Sequence, residues 1–211
     1  MSRAAGGAGT TISRRTTPAR SPSAVERRLL DAAAAGDSPT VRALLESGID
    51  VDISDERGRT PLMRAACNGH LAAMRVLVEA GAVLNRRNRD GWPALMEALH
   101  ADRPAAATAL LEWGADPGGG DDSGYTPLML AAGRGDPRTV AKLLEHGADP
   151  RAELFLGFTA LDYAIGYGQR EVVRLLLAAA PDLKRRRNGA RRAVLALAGY
   201  DGDSELLGLL R

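Results

Sequence analysis

The chain returns to itself every 33 residues. Glycine falls on three such lattices: Gly36, Gly69, Gly135 and Gly168, with Asp102 in the one gap; Gly48, Gly81, Gly114 and Gly147; and Gly58, Gly91, Gly124 and Gly157. Leu44, Leu77, Leu110, Leu143, Leu176 and Leu209 keep the same step, as do Ala32, Ala65, Ala98, Ala131 and Ala164, with Leu197 in the sixth place. A period of this length identifies an array of supersecondary units, each too small to bury its own apolar face. Neighbouring units must bury it together. Aromatic residues are only 4% of the chain, so the shared core has to be built from Ala, Leu and Val.

One unit reads as two short helices. Thr60 caps the first and Pro61 suits its first helical position. Leu62, Ala65 and Ala66 make one apolar stripe, and Asn68-Gly69 ends it. Met74, Leu77 and Val78 line the second helix, which Gly81 closes before a polar loop. Ser23-Ala24-Val25-Glu26 is a capping box and places the first helix start of the array. Asp37 and Asp136 are expected to cap second helices beside Pro39 and Pro137, and Asp102 to do the same in the third unit.

These residues resemble the ankyrin repeat. The match reads Gly58-Arg59-Thr60-Pro61-Leu62, Ala65-Ala66, Gly69-His70 and Gly81-Ala82, and again Gly124-Tyr125-Thr126-Pro127-Leu128, Ala131-Ala132 and Leu143-Leu144-Glu145-His146-Gly147-Ala148-Asp149. The family's His after Thr-Pro-Leu is replaced by Met63, Met96, Met129 and Asp162, and the third unit reads Gly91-Trp92-Pro93-Ala94-Leu95. The resemblance implies an all-α repeat solenoid of about six stacked helix-turn-helix units with projecting β-hairpin fingers. The units span about 23–55, 56–88, 89–121, 122–154 and 155–187, with a C-terminal cap over 188–211. Residues 1–22, rich in Gly, Ser, Thr and Pro and carrying Arg but no acid, are expected to form a disordered basic tail; an organelle-targeting segment would have the same composition.

Constellations for catalysis are missing. There is no G-x-S-x-G elbow, neither Lys142 nor Lys184 follows a glycine as a phosphate loop requires, and Gly118-Gly119-Gly120 completes no dinucleotide fingerprint. The single Cys67 precludes an intramolecular disulfide and a cysteine-based zinc site. His70, His100 and His146 lack ligand spacing. Cys67 and His100 share a register one unit apart, but no third group orients them as a nucleophile–base pair. Asp116, Asp121 and Asp122 lack the alternating spacing of a calcium loop. Neither catalysis, nor a cofactor, nor a metal is therefore expected. No stretch approaches 18 consecutive apolar residues, so a membrane helix is not expected either.

The resemblance places partner contacts on the residues flanking the finger glycine and at the end of the first helix. Trp92, Tyr125 and Phe158 follow that glycine, Phe155 and Leu156 precede it, and Tyr167 and Tyr200 end first helices. Six of the eight aromatic residues thus fall on one implied surface, and interfaces favour such residues. Arg59 extends the row, with Arg89 and Arg134 beside it. Trp113 and Tyr163 fall outside this surface. The expected function is non-catalytic binding of another protein through the fingers and concave face, by a chain that is monomeric on its own and cytoplasmic, or nuclear or organellar if its basic segments are addresses. The alternative is nucleic acid or an acidic partner on Arg-rich fingers: Arg86, Arg87 and Arg89, and Lys184-Arg185-Arg186-Arg187 with Arg191 and Arg192. Asp116, Asp121 and Asp122 lie between the two basic fingers and break any continuous phosphate track, so nucleic acid is disfavoured.

Overall fold

The computed structural model describes residues 21–185. Ten α-helices follow one another as pairs: α1 (Ala24–Ala35) and α2 (Ser38–Glu46), α3 (Pro61–Asn68) and α4 (Leu71–Glu79), α5 (Ala94–His100) and α6 (Pro104–Glu112), α7 (Pro127–Arg134) and α8 (Pro137–Glu145), α9 (Ala160–Gly166) and α10 (Arg170–Ala179). The first helices pack in sequence, α1 on α3, α3 on α5, α5 on α7 and α7 on α9, while the second helices pack on one another in a parallel layer. The expected helix pairs are there, five of them among the described residues. The proposed cap at 188–211, Tyr200, Leu209, the tail up to residue 20 and most of the terminal arginine run lie outside the described residues.

The core repeats as the sequence does. Leu29, Leu62, Leu95, Leu128 and Leu161 are all buried, and so are Leu77, Leu110, Leu143 and Leu176 in the second helices. Ala65, Ala98, Ala131 and Ala164 let adjacent first helices approach closely because they carry almost no side chain. Met63, Met96 and Met129 fill the core at the position that Asp162 takes in the fifth pair.

Each helix start is closed in its own way. The Thr60 hydroxyl accepts from the Met63 N–H at 3.3 Å, and the Thr126 hydroxyl from that of Met129 at 3.3 Å. In the fifth pair the buried Asp162 carboxylate accepts both the Thr159 N–H at 2.9 Å and its hydroxyl at 2.7 Å. Pro93 offers no capping side chain to α5. The capping box at Ser23 and Glu26 forms as expected, and Asp37 and Asp136 cap α2 and α8.

Asp102 does not. Arg103 stands at the N-cap of α6 with no side-chain bond, and Asp102 instead occupies the left-handed region, φ 58°. It therefore does the work of Gly36, Gly69 and Gly135 in the other units, a conformation that Asp tolerates better than most residues.

The finger loops are shorter devices than hairpins. Among the described residues none carries a strand. Each is closed by two backbone bonds: one across five residues (Asp55 N–H to Arg59 carbonyl at 3.0 Å, Asn88 to Trp92 at 3.0 Å, Asp121 to Tyr125 at 3.1 Å and Leu154 to Phe158 at 2.8 Å) and one from the loop glycine N–H back to the first residue's carbonyl, as from Gly58 to Asp55 at 2.9 Å. The glycine before the last residue of each loop has a positive φ, 75° at Gly58, which a side chain would resist. In the first three loops a side-chain oxygen of Asp55, Asn88 or Asp121 also accepts two backbone N–H groups within the turn. Leu154 cannot, and its loop winds into a short 3₁₀ turn, Phe155–Gly157.

Units are also tied end to end. Asn68 and His70 both reach back to the Ala34 carbonyl, at 3.1 and 3.0 Å. Arg134 donates to the His100 carbonyl, and Gln169 to that of Gly133 at 3.3 Å. These carbonyls belong to last turns of first helices, where no intrahelical donor remains. On the opposite edge, Asp52 accepts the Val83 N–H at 3.2 Å and Asn85 that of Asp116 at 2.9 Å.

Candidate functional site

First helices and fingers together present one continuous face, and its two halves differ in chemistry. Toward the N-terminus it is charged. Asp55, at the base of its finger, receives Arg59 at 3.2 Å and Arg64, from α3, at 3.3 Å; Arg64 also reaches Asp31 at 3.0 Å. Burial works against the Asp55 charge, but the N–H groups of Arg59 and Arg57 and the guanidinium groups of Arg59 and Arg64 outweigh it and hold its carboxyl below the ordinary range.

One unit further on, both partners change. Asn88 stands where Asp55 stood, and Glu97, from α5, stands where Arg64 stood. The Asn88 amide donates to Glu97 Oε1 at 2.8 Å. A carboxylate on the helix would repel a carboxylate in the finger, and the amide removes that conflict. Glu97 is only 8% exposed, and burial pushes its pKa up against the opposing influence of Arg59, Asn88, His100 and Arg57.

Cys67 lies in the same neighbourhood. Burial, then the Glu97 carboxyl, raise its thiol pKa. A catalytic cysteine needs the opposite shift. His100 is engaged edge-on with Trp92, ring centroids 5.0 Å apart. The shared register of Cys67 and His100 thus produces no activated pair.

Toward the C-terminus the face turns aromatic. Tyr163, from α9, lies between two finger residues: its ring centroid is 5.3 Å from that of Tyr125 and 6.5 Å from that of Phe158. Burial raises the Tyr125 phenol to about 12, with the neighbouring Tyr163 and Tyr167 phenols adding to the effect. Tyr167 lies over Gly133 and is 68% exposed; Phe155, at the tip of its finger, is 78% exposed. Leu130 of α7 is buried beneath this half.

The sequence-predicted residues therefore separate into two kinds. Trp92, Tyr125 and Phe158 are half-buried and packed on the core edge, so they form the floor of the face and not a free-standing row. Phe155, Tyr167, Arg89 and Arg134 are exposed. Arg59 is half-buried in its pairing with Asp55. Leu156 lies in the 3₁₀ turn beside Phe155, and Tyr200 is outside the described residues. Tyr163, set aside because it follows no glycine, is the residue that joins Tyr125 to Phe158. Its register gave the only signal: it continues Arg64, Glu97 and Leu130 along the first helices. Trp113, also set aside, packs on the core edge.

The fingers carry acids as well as arginines, and some of these pair. Arg57 meets Asp90 at 3.8 Å and Arg87 meets Asp122 at 3.1 Å. Asp116 and Asp121 accept backbone N–H groups of their own loop. No described helix is long and apolar enough to cross a membrane. The face offers apolar area at one end and a buried carboxylate at the other.

A family model described as ankyrin repeats, in three copies, matches residues 29–121 and 114–187. No curated protein matches the chain.

Proposed function

Because the chain belongs to the ankyrin-repeat family, whose members are generally protein–protein interaction modules and generally non-catalytic, we propose that it binds a partner protein on the face made by its first helices and finger loops, without catalysis. The observation that carries this reading is the aromatic half of that face. Tyr163 supports Tyr125 and Phe158 from below, and Phe155 and Tyr167 stand 78% and 68% exposed beside them. A soluble array has no structural use for two large exposed aromatic side chains on one surface, whereas a few such residues dominate the energy of many interfaces. Asp116, Asp121 and Asp122 lie between the basic fingers and interrupt any continuous phosphate track, which speaks for a protein partner over nucleic acid. In this reading a sixth, shortened unit over 188–211 closes the stack, residues 1–22 precede it as a tail, and the chain works as a cytoplasmic monomer.

The test is capture from native extract with the full chain and with a Phe155→Ser, Tyr167→Ser double variant. Both side chains are solvent-exposed, so the variant should keep its circular dichroism spectrum and melting temperature. Proteins retained by the full chain should be lost from the variant. Retention of the same set by both chains would refute this assignment of the surface.

A further inference from the structure

The charged half of the face holds a carboxylate that its surroundings leave incomplete. Glu97 is more than nine-tenths buried. Its Oε1 accepts from Asn88; its Oε2 accepts nothing among the described residues. The neighbouring acids are served differently: Asp55 has Arg59 at 3.2 Å and Arg64 at 3.3 Å, and Asp90 has Arg57 at 3.8 Å. Arg59 and Arg57 favour the Glu97 charge from a distance, but both are paired with aspartates and neither forms an ion pair with Glu97. Burying a carboxylate with an unused oxygen is costly unless a donor arrives. A purely structural account is insufficient, because a glutamine would accept the Asn88 bond equally well without the cost of the charge. Trp92 and His100, stacked edge to face at 5.0 Å, lie on the same stretch of the face, and aromatic rings of this kind favour a cation laid against them.

Resting on the partner-binding reading above, we infer that Glu97 receives a basic side chain, arginine or lysine, of the partner segment, while the Tyr125–Tyr163–Phe158 cluster receives a large apolar side chain of the same segment. Register fixes the spacing between the two. Glu97 and Tyr163 hold the same helix position two units apart. First helices packed side by side are about 8–10 Å apart, so the two sites lie roughly 20 Å from one another. An extended peptide covers about 3.3 Å per residue, so the basic and apolar residues of the partner stand about six positions apart. The partner motif is thus bipartite, and its charge is opposite to what the arginine-rich fingers would select.

The probe is a phage-displayed library of random dodecapeptides, selected against the full chain and against Glu97→Gln, with Glu97→Leu as second variant. Leucine already stands at this register in the next unit, as Leu130, so the fold accommodates it; melting curves check both variants. Against the full chain, the enriched peptides should carry arginine or lysine about six positions from a large apolar residue, a spacing set by the strand rise. Against both variants the basic preference should vanish while the apolar preference remains, and a synthetic consensus peptide should lose at least about tenfold in affinity, as expected when a desolvated charge pair loses one member. Enrichment of acidic peptides, or a basic preference that survives both substitutions, overturns this inference and leaves the partner-binding reading intact. No enrichment at all overturns both.

Discussion

Leu143 and Leu44 occupy the same register in the second helices α8 and α2, yet the stack treats them differently. Leu143 is fully buried, with α6 packed on one side of its helix and α10 on the other. Leu44 is only half-buried, because α2 has α4 on one side and no second helix on the other among the described residues. Truncation to alanine removes about three carbon groups, worth roughly 2–2.5 kcal/mol of transfer free energy when the side chain is fully buried. At Leu143 the two flanking helices are held by their own neighbours and cannot collapse into the space, so a cavity term adds to this and the loss should be about 3–5 kcal/mol. At Leu44 roughly half of the transfer term applies and water can fill the gap, so the loss should be about 1 kcal/mol. Urea unfolding followed by circular dichroism gives both values from the shift in midpoint, with the slope checked for constancy because arrays can lose cooperativity. Equal losses at the two sites would refute the reasoning, since they would mean that flanking units contribute nothing to the burial of a leucine.

Two further outcomes follow from the face. The Tyr125 phenol ionises at about 12 in the folded chain against an ordinary 10.0, so the folded state disfavours phenolate: stability should be unaffected below pH 10 and fall as pH rises from there toward 12, a loss that Tyr125→Phe should reduce, read by thermal melts across that range. Asn88→Asp should cost about 1–3 kcal/mol, by placing a second carboxylate against the buried Glu97 and removing its one donor, and the added change Glu97→Arg should recover most of it by rebuilding the Asp55–Arg64 arrangement one unit along; urea midpoints of the single and double variants measure the coupling.

The helices, their caps and the leucine and alanine lattices were legible in the sequence because each depends on residues a few positions apart or on the repeat itself. The errors arose where one unit departs from its neighbours. Asp102 fills a gap in the glycine lattice but has the residue type of an N-cap, and the backbone shows that it takes the glycine's left-handed turn instead of capping. Neither Asn88 nor Glu97 stands out in the sequence; their meaning lies in having changed together, which appears only when the finger is folded back onto its helix. Tyr163 was discounted for the same reason. Its contacts with Tyr125 and Phe158 come from lateral stacking, and the span between glycine and aromatic residue, which served for the fingers, does not measure that.

The ties between units bear on how such a chain can lengthen. A unit brings its own donor for the carbonyl behind it, as His70 does for Ala34 and Gln169 for Gly133, and exposes a carbonyl for the unit ahead. The other edge works in reverse, with Asp52 and Asn85 supplying the acceptor for the following loop. At these junctions a segment is plug on one side and socket on the other. An in-frame duplication of one such segment inserts a matching pair of connectors in a single genetic event, with no second change needed to seat it. Heredity can extend this molecule by copying, and the face of first helices and fingers grows by one row of side chains each time, free to diverge as Asn88 and Glu97 have from their counterparts.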